Sequence, residues 1–265
     1  MTIAVSLMIE GQDGVTWQRW ERLARAAENL GFSGLYRSDH FTNAAGDLRD
    51  ALELWISLAW LASHTSRIAF GPMVSPVSFR DPRITAWQAA AVDDLSGGRL
   101  RLGLGAGWQE REHAMFGYDL LDTGERFARF TEGLEVVTRL LRSEAPVTFA
   151  GRYYQLQDAV LLPRPARPGG PPIVIGGNGP LRTLPLAARY ADEWNAVYLP
   201  AADFAARSAD LDGLLAREGR ERASVRRTLM NRAILARSKA ELDRKLDGAD
   251  ADALRARGVI GGGPG

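Results

Sequence analysis

Asp39 and His40 stand side by side just after a short apolar run, Gly34-Leu35-Tyr36. An imidazole beside a carboxylate can take a proton from a ligand or return one, because its charge changes near neutral pH. The same two residue types are also common in a turn that follows a strand. Two glycine-rich stretches offer a second kind of chemistry. From Arg99 to Glu112 the chain reads Arg-Leu-Arg-Leu-Gly-Leu-Gly-Ala-Gly-Trp-Gln-Glu-Arg-Glu. Leu100, Leu102 and Leu104 alternate with Arg101 and Gly103, the period of a half-buried strand. Gly103, Gly105 and Gly107 then take over, and an aromatic and three charges follow, which reads either as backbone amides placed to meet an anionic ligand or as a strand followed by a glycine-rich turn. Gly176-Gly177-Asn178-Gly179 lies before a helix and reads either as a phosphate cradle or as a tight strand-to-helix turn. These two loops follow successive strands, so they are expected to share one ligand. Trp108 and Trp194 sit at strand ends, whereas the other tryptophans mostly follow helical spacing and are expected in the core.

Of the three histidines, His64 is placed at a helix end with no role in a site, and His113 is left open. No two of them have metal-ligand spacing, which argues against a metal site. The absence of cysteine removes disulfides, thiolate metal ligands and a cysteine nucleophile together. A net charge of +1 gives no electrostatic reason to expect nucleic acid or an acidic membrane as a partner. Met1 to Ile9 has no basic segment and meets Glu10 too early for a signal peptide, and no apolar run has the length of a membrane span. The expectation is a cytoplasmic enzyme or binding protein for a small molecule.

The elements that must position these residues alternate. Apolar runs at Ile3–Ile9, Gly34–Tyr36, Ile68–Val74 and Leu100–Leu104 read as strands. Between them lie amphipathic stretches from Thr16 to Leu30, about Leu52 to His64, and Ile84 to Leu95, the last opened by Arg80-Asp81-Pro82. This is the signature of a parallel sheet with helical crossovers. After Trp108 the rhythm breaks: a long helix from about Gly124 to Leu141 precedes a hairpin between Val147 and Leu162 that turns near Gly151. A proline-rich loop over 163–172 follows. Strands then resume at Pro172–Ile175, Glu193–Tyr198 and Arg227–Leu235, with helices at Leu184–Tyr190, Ala202–Glu218 and Lys239–Leu246. Seven strands are counted where a closed (β/α)8 barrel has eight, and an open doubly wound sheet is the rival architecture. Asp39-His40, Pro76 and Arg80, the 105–112 stretch and the 176–179 stretch all fall at C-terminal ends of strands, the face on which barrel enzymes build sites.

Five stretches in this order resemble the superfamily of bacterial luciferase-like monooxygenases and F420-dependent oxidoreductases. They are Arg37-Ser38-Asp39-His40-Phe41, Gly71-Pro72-Met73-Val74-Ser75-Pro76 with Arg80-Asp81-Pro82, the Gly-Leu-Gly-Ala-Gly-Trp of 103–108, Gly176-Gly177-Asn178-Gly179, and Ala191-Asp192-Glu193-Trp194. Each is weak alone; their register is the signal, and it runs from Met1 to about Leu235. The resemblance implies a single TIM-barrel domain over 1–265 with an insertion after the fourth strand, about 108–172; by the strand count its eighth βα unit is missing or truncated, or the count is one short. It implies coenzyme F420 or FMN at the strand ends, with its phosphate on the loops after the fourth and fifth strands. It also implies a non-proline cis peptide in the third strand, which by position would be Pro72–Met73.

The cofactor-binding residues implied are Asp39, His40, Pro72, Met73, Ala106, Gly107, Trp108, Gly176, Gly177, Asn178 and Trp194. The proton-handling residue is His40, oriented by Asp39. The deazaflavin sugar-phosphate dehydrogenases of this superfamily place a glutamate acid where this chain has Trp108, so their reaction is not carried over; Glu110 and Glu112 stand nearby. The reading is F420-dependent hydride transfer to or from a small organic substrate. Its alternatives are an FMN-dependent monooxygenase fed by a separate flavin reductase, and a flavin-fold binding protein without catalysis, for which an open edge between the first and seventh strands is the motive. Helix faces rich in Trp and Leu permit a homodimer.

Overall fold

The computed structural model describes residues 3–246 and 260–262, and its chain divides into two compact units at Val174/Ile175. In the first unit, strands β1 (Ser6–Ile9), β2 (Gly34–Arg37) and β3 (Ala69–Pro72) pair in parallel. Helix α1 (Trp17–Asn29) makes the first crossover. Thr16 caps it by accepting from the Arg19 N–H, and Trp20, Ala24 and Ala27, at helical spacing, are its buried face. Helix α2 (Leu54–His64) makes the second crossover, and His64 is its last residue.

After β3 the chain does not continue as one strand to Val74. The expected third strand is broken into β3 and a two-residue β4 (Ser75–Pro76), with a cis peptide between them at Met73–Val74. The bond lies one residue beyond Pro72–Met73, the position that the resemblance implies. The ladder explains the difference: Pro72 is still in register with Arg37, and the Met73 N–H donates to the Arg37 carbonyl at 2.8 Å, so the strand runs through the Pro72–Met73 peptide.

Helix α3 (Pro82–Leu95) begins with Asp81 as cap and proline in its first turn, and leads to β5 (Leu102–Gly105). β5 pairs with β4, Ser75 to Leu104 and Pro76 to Gly105. The approach is close enough to dictate glycine. A Cβ on Gly103 would stand 2.1 Å from the Pro72 carbonyl oxygen, and one on Gly71 would stand 1.9 Å from that of Arg101. The glycines of this stretch therefore serve the packing of two strands before they serve any ligand.

Beyond β5 the structure adds an element absent from the sequence reading, α4 (Glu110–Phe116), closed by Gly117 in the left-handed region (φ 70°). Helix α5 (Thr123–Arg142), capped by Asp122, packs on α3. The expected hairpin is present as antiparallel β6 (Val147–Ala150) and β7 (Gln155–Ala159). Glu132 of α5 holds its turn by accepting from the Arg152, Tyr153 and Tyr154 N–H groups.

Strand β8 (Ile173–Gly176) passes into the second unit. There α6 (Thr183–Tyr190), β9 (Glu193–Val197), α7 (Ala201–Arg217) and β10 (Arg226–Met230) follow, with β9 and β10 parallel. The expected seventh strand is again two pieces, β10 and β11 (Ala233–Leu235), and α8 (Lys239–Leu246) follows. A twelfth strand, β12 (Ile260–Gly262), pairs in parallel with β11, so the count of seven parallel strands was short by this one. The rest of the expected eighth unit lies outside the described residues. Among those described, no helix is long and apolar enough to cross a membrane.

Candidate functional site

The chain leaving β2 carries Arg37, Ser38, Asp39 and His40, and the first three are almost fully buried. Arg37 anchors the strand end. Its guanidinium lies 5.4 Å from the Trp20 ring centroid and donates to Ser57 Oγ and the Leu52 carbonyl. Burial pulls it down to about 10, an effect that Asp39 and Glu53 oppose. Gly11 has no side chain because a Cβ there would sit 2.3 Å from Arg37 Nη2. The Gly11 N–H donates to Ser38 Oγ, which donates to Gln12 Oε1.

Asp39 and His40 do not work on each other. Both Asp39 oxygens accept from Arg80, Oδ2 from Nε at 2.9 Å and Oδ1 from Nη2 at 2.7 Å, and Oδ2 also accepts from Ser75 Oγ at 2.6 Å. Arg80 bridges onward to Glu53 at 2.9 Å. The expectation that Asp39 orients His40 is corrected by this geometry. Successive residues leaving a strand project to opposite sides, so neighbours in sequence find different partners. Asp39 ties β2 to β4 and to the start of α3.

The partners of His40 come from α4 and the residue before it. His40 Nδ1 is 2.8 Å from Glu112 Oε1 and 3.1 Å from Gln109 Nε2. The other Glu112 oxygen accepts from the Phe41 N–H at 2.9 Å, and Gln109 Nε2 donates to the Thr42 carbonyl at 2.9 Å. Glu112 is 1 % exposed, and the His40 side chain 14 %. Among the described residues no group hydrogen-bonds His40 Nε2. The Trp108 ring, 61 % exposed, meets the imidazole edge-to-face at 5.5 Å. Trp108 continues into an open hollow of about 540 Å³ lined by Ala44, Gln109, Glu110, Arg111 and Ala114.

Sequence reasoning missed Glu112 and Gln109 as partners because it read 108–112 as loop. A signal was there: Gln109, Glu112 and His113 recur at helical spacing, acidic residues fill a first turn, and Gly117 marks a stop. His113, left open above, is buried with Nδ1 2.6 Å from the Gln109 carbonyl. Its Nε2 and Ser78 Oγ are buried without a partner among the described residues. Both flank Gly107 (φ 86°), where a Cβ would be 2.3 Å from Ser78 Oγ and 3.5 Å from His113 Nε2. No described group accepts from the Gly107 or Trp108 N–H. Ala106 and Gly107 are half-buried, Pro72 is buried in the ladder, and Met73 is half-buried beside the cis bond.

In the second unit, Gly177 (φ 118°) turns the chain after β8, as the glycine pattern requires. Its N–H donates to the Asn195 carbonyl. The Asn178 side chain is spent on the backbone of Val197, donating to its carbonyl at 2.7 Å and accepting from its N–H at 2.9 Å. Trp194 is fully buried, stacks on Phe204 and donates from Nε1 to the Gly177 carbonyl at 2.8 Å. Asn178 and Trp194 thus brace the turn, and Gly176 is half-buried within it. Among the described residues no cluster of acidic residues and histidines could hold a metal ion.

The family model of luciferase-like monooxygenases matches residues 1–259 of this chain. Among similar proteins, 4-hydroxyprotoasukamycin monooxygenase of Streptomyces nodosus subsp. asukaensis is 33% identical over 71% of this chain and 48% of its own length. An F420-dependent glucose-6-phosphate dehydrogenase of Kineococcus radiotolerans is 37% identical over 58% of this chain and 45% of its own. F420-dependent hydroxymycolic acid dehydrogenase of Mycobacterium tuberculosis is 33% identical over 64% and 46%. The chain spans about half the length of these curated relatives. Among solved structures, an F420-dependent secondary alcohol dehydrogenase in complex with an F420-acetone adduct superposes with a TM-score of 0.83 at 20% identity, over 97% of this chain and 77% of that one. A monooxygenase from Streptomyces bottropensis gives 0.78 at 24%, over 97% and 78%. These structures show the α/β fold that the chain shares with them.

Proposed function

The chain belongs to the luciferase-like monooxygenase family, and from that premise we propose that it is an F420-dependent oxidoreductase acting on a small organic substrate. The observation that carries the reading is the state of His40. Its Nδ1 is engaged by buried groups, and its Nε2 is the one ring nitrogen left for a ligand. Bound F420 supplies a ring carbon that accepts or releases a hydride, and the protein supplies binding, orientation and proton handling. The residues beside His40 fit such a group. Among the described residues the Gly107 and Trp108 N–H groups have no acceptor, and buried Ser78 Oγ and His113 Nε2 lack partners at the same glycine. Ala106, Gly107, Trp108 and Met73 would hold the cofactor, and His40 Nε2 would take the proton of a substrate hydroxyl or return it. The hollow beyond Trp108 would receive the substrate. The Gly176-Gly177 turn is kept as a proposed phosphate cradle in its own unit, through backbone and not through Asn178, whose side chain is engaged.

A second reading is an FMN-dependent monooxygenase served by a separate reductase. It is favoured by Trp108, which stands where the resemblance places a glutamate acid, and by the 33% identity to a relative named as a monooxygenase. Titration of the purified protein with F420 and with FMN, followed by cofactor fluorescence, separates the two. Tight F420 binding with FMN excluded is expected; tight FMN binding with no F420 binding overturns the first reading. Retained F420 that no panel of alcohols, ketones or aldehydes oxidises or reduces would move the assignment to a binding protein.

A further inference from the structure

We propose that Glu112 is a positioning residue that fixes the His40 imidazole as its Nδ1–H tautomer, leaving Nε2 as the proton acceptor. The two residues lie on different elements, Glu112 on α4 and His40 after β2, and the fold brings Oε1 to 2.8 Å from Nδ1. An ionised carboxylate offers only acceptors, so a proton on this contact belongs to Nδ1. The opposite tautomer would set a lone pair of Nδ1 against Oε1 at that distance.

Gln109 does not offer Nδ1 an alternative acceptor. Its amide nitrogen must stay on the His40 side, because turning the amide would bring its oxygen against the Thr42 carbonyl that the nitrogen now serves at 2.9 Å. Among the described residues Nδ1 therefore faces one acceptor, Glu112 Oε1 at 2.8 Å, and one donor, Gln109 Nε2 at 3.1 Å. The shorter contact is to the carboxylate, while the amide N–H is served by the Thr42 carbonyl, so the proton on Nδ1 goes to Glu112. The second Glu112 oxygen takes the Phe41 N–H, which immobilises the carboxylate against the residue next to the imidazole. The Trp108 ring meets the imidazole nearly at a right angle, with 5.5 Å between centroids.

The Phe41 N–H makes the Glu112→Gln variant informative. The new amide has one oxygen, and the Phe41 N–H needs it. Its nitrogen must then face Nδ1 as a donor beside the Gln109 amide, and Nδ1, left with two donors and no acceptor, gives up its proton. The variant is therefore expected to invert the His40 tautomer to Nε2–H without changing the shape of the site.

The test is long-range proton–nitrogen correlation NMR on uniformly 15N-labelled protein without cofactor, at a pH where the ring is neutral. His40→Gln identifies the His40 signals among the three histidines. Expected are a pyrrole-type Nδ1 and pyridine-type Nε2 in the wild type, exchanged in Glu112→Gln. An Nε2–H wild type, or a tautomer unmoved by Glu112→Gln, overturns the proposal. If Glu112→Gln does not fold, Glu112→Asp withdraws the carboxylate by one methylene and is expected to give a mixture, while an unchanged Nδ1–H spectrum overturns it. The kinetic consequence rests on the function proposed above: substrate oxidation by Glu112→Gln should fall about 10²- to 10⁴-fold in kcat/KM. Failure of that function leaves the NMR result standing, so the two are told apart.

Discussion

Asp39→Ala should cost stability and leave the His40 tautomer untouched. The structure gives the size of the loss. Removing the carboxylate strands Ser75 Oγ, which is fully buried and donates to Asp39 at 2.6 Å; an orphaned buried hydroxyl costs about 2 kcal/mol. Arg80 loses two charge-assisted bonds. Such bonds contribute about 1.5–3 kcal/mol each. The Arg80 side chain is only 18 % exposed, but it keeps Glu53 at 2.9 Å, so a fraction of that worth is lost. The sum is about 3–4 kcal/mol, in the range for breaking a buried pair by deleting one member. At about 2–4 °C per kcal/mol for a chain of this size, the melting point should drop about 10 °C. Asp39→Asn, which keeps an acceptor for Ser75 and loses the charge, should cost about 2 kcal/mol. Chemical denaturation followed by tryptophan fluorescence measures both. In a cycle with Arg80→Met, the double variant should be less destabilised than the sum of the singles, since the pair is lost only once. A loss below about 1 kcal/mol in Asp39→Ala, or a change of His40 tautomer in that variant, would refute the separation of Asp39 from His40 argued from these bonds.

Gly71→Ala should be among the most damaging small substitutions, because its Cβ would stand 1.9 Å from a backbone oxygen of the next strand, which cannot rotate away. A cost of about 3 kcal/mol or more, or loss of soluble protein, is expected, and an unchanged melting curve would contradict the strand approach. Burial pushes the Tyr154 phenol up to about 12. The folded state then holds a proton that the unfolded chain has released, so this stabilisation is complete below about pH 10 and is lost as the pH rises toward 12. Tyr154→Phe should flatten that alkaline fall in denaturation midpoints. Glu132→Ala should open the turn between β6 and β7, since Glu132 accepts from three successive N–H groups there, and faster hydrogen exchange at Arg152, Tyr153 and Tyr154 is the readout.

Local order was legible in the residues themselves. Thr16 and the Asp81-Pro82 pair start helices because a side-chain oxygen or a fixed φ serves the first turn wherever it occurs. The alternation around Leu102 and the turn near Gly151 were read the same way. So was the position of His40 just beyond a strand end, since strand period suffices for it. Helix α4 had a readable signal that the glycines before it masked.

Partner choice was not legible, because it depends on which chain segments the packing brings together. Glu112 reaches His40 across 72 residues, while adjacent Asp39 turns to Arg80. Asn178 and Trp194 have residue types suited to a ligand, yet their polar atoms are taken by backbone groups of their own unit. Gly71, Gly103 and Gly107 permit a close approach, and residue type alone does not say to what. Tertiary structure assigned Gly71 and Gly103 to a neighbouring strand's carbonyls and Gly107 to Ser78 and His113. A hydrogen bond is directional and short, so an ångström of packing decides it, whereas burial follows a period that the chain carries along its own length.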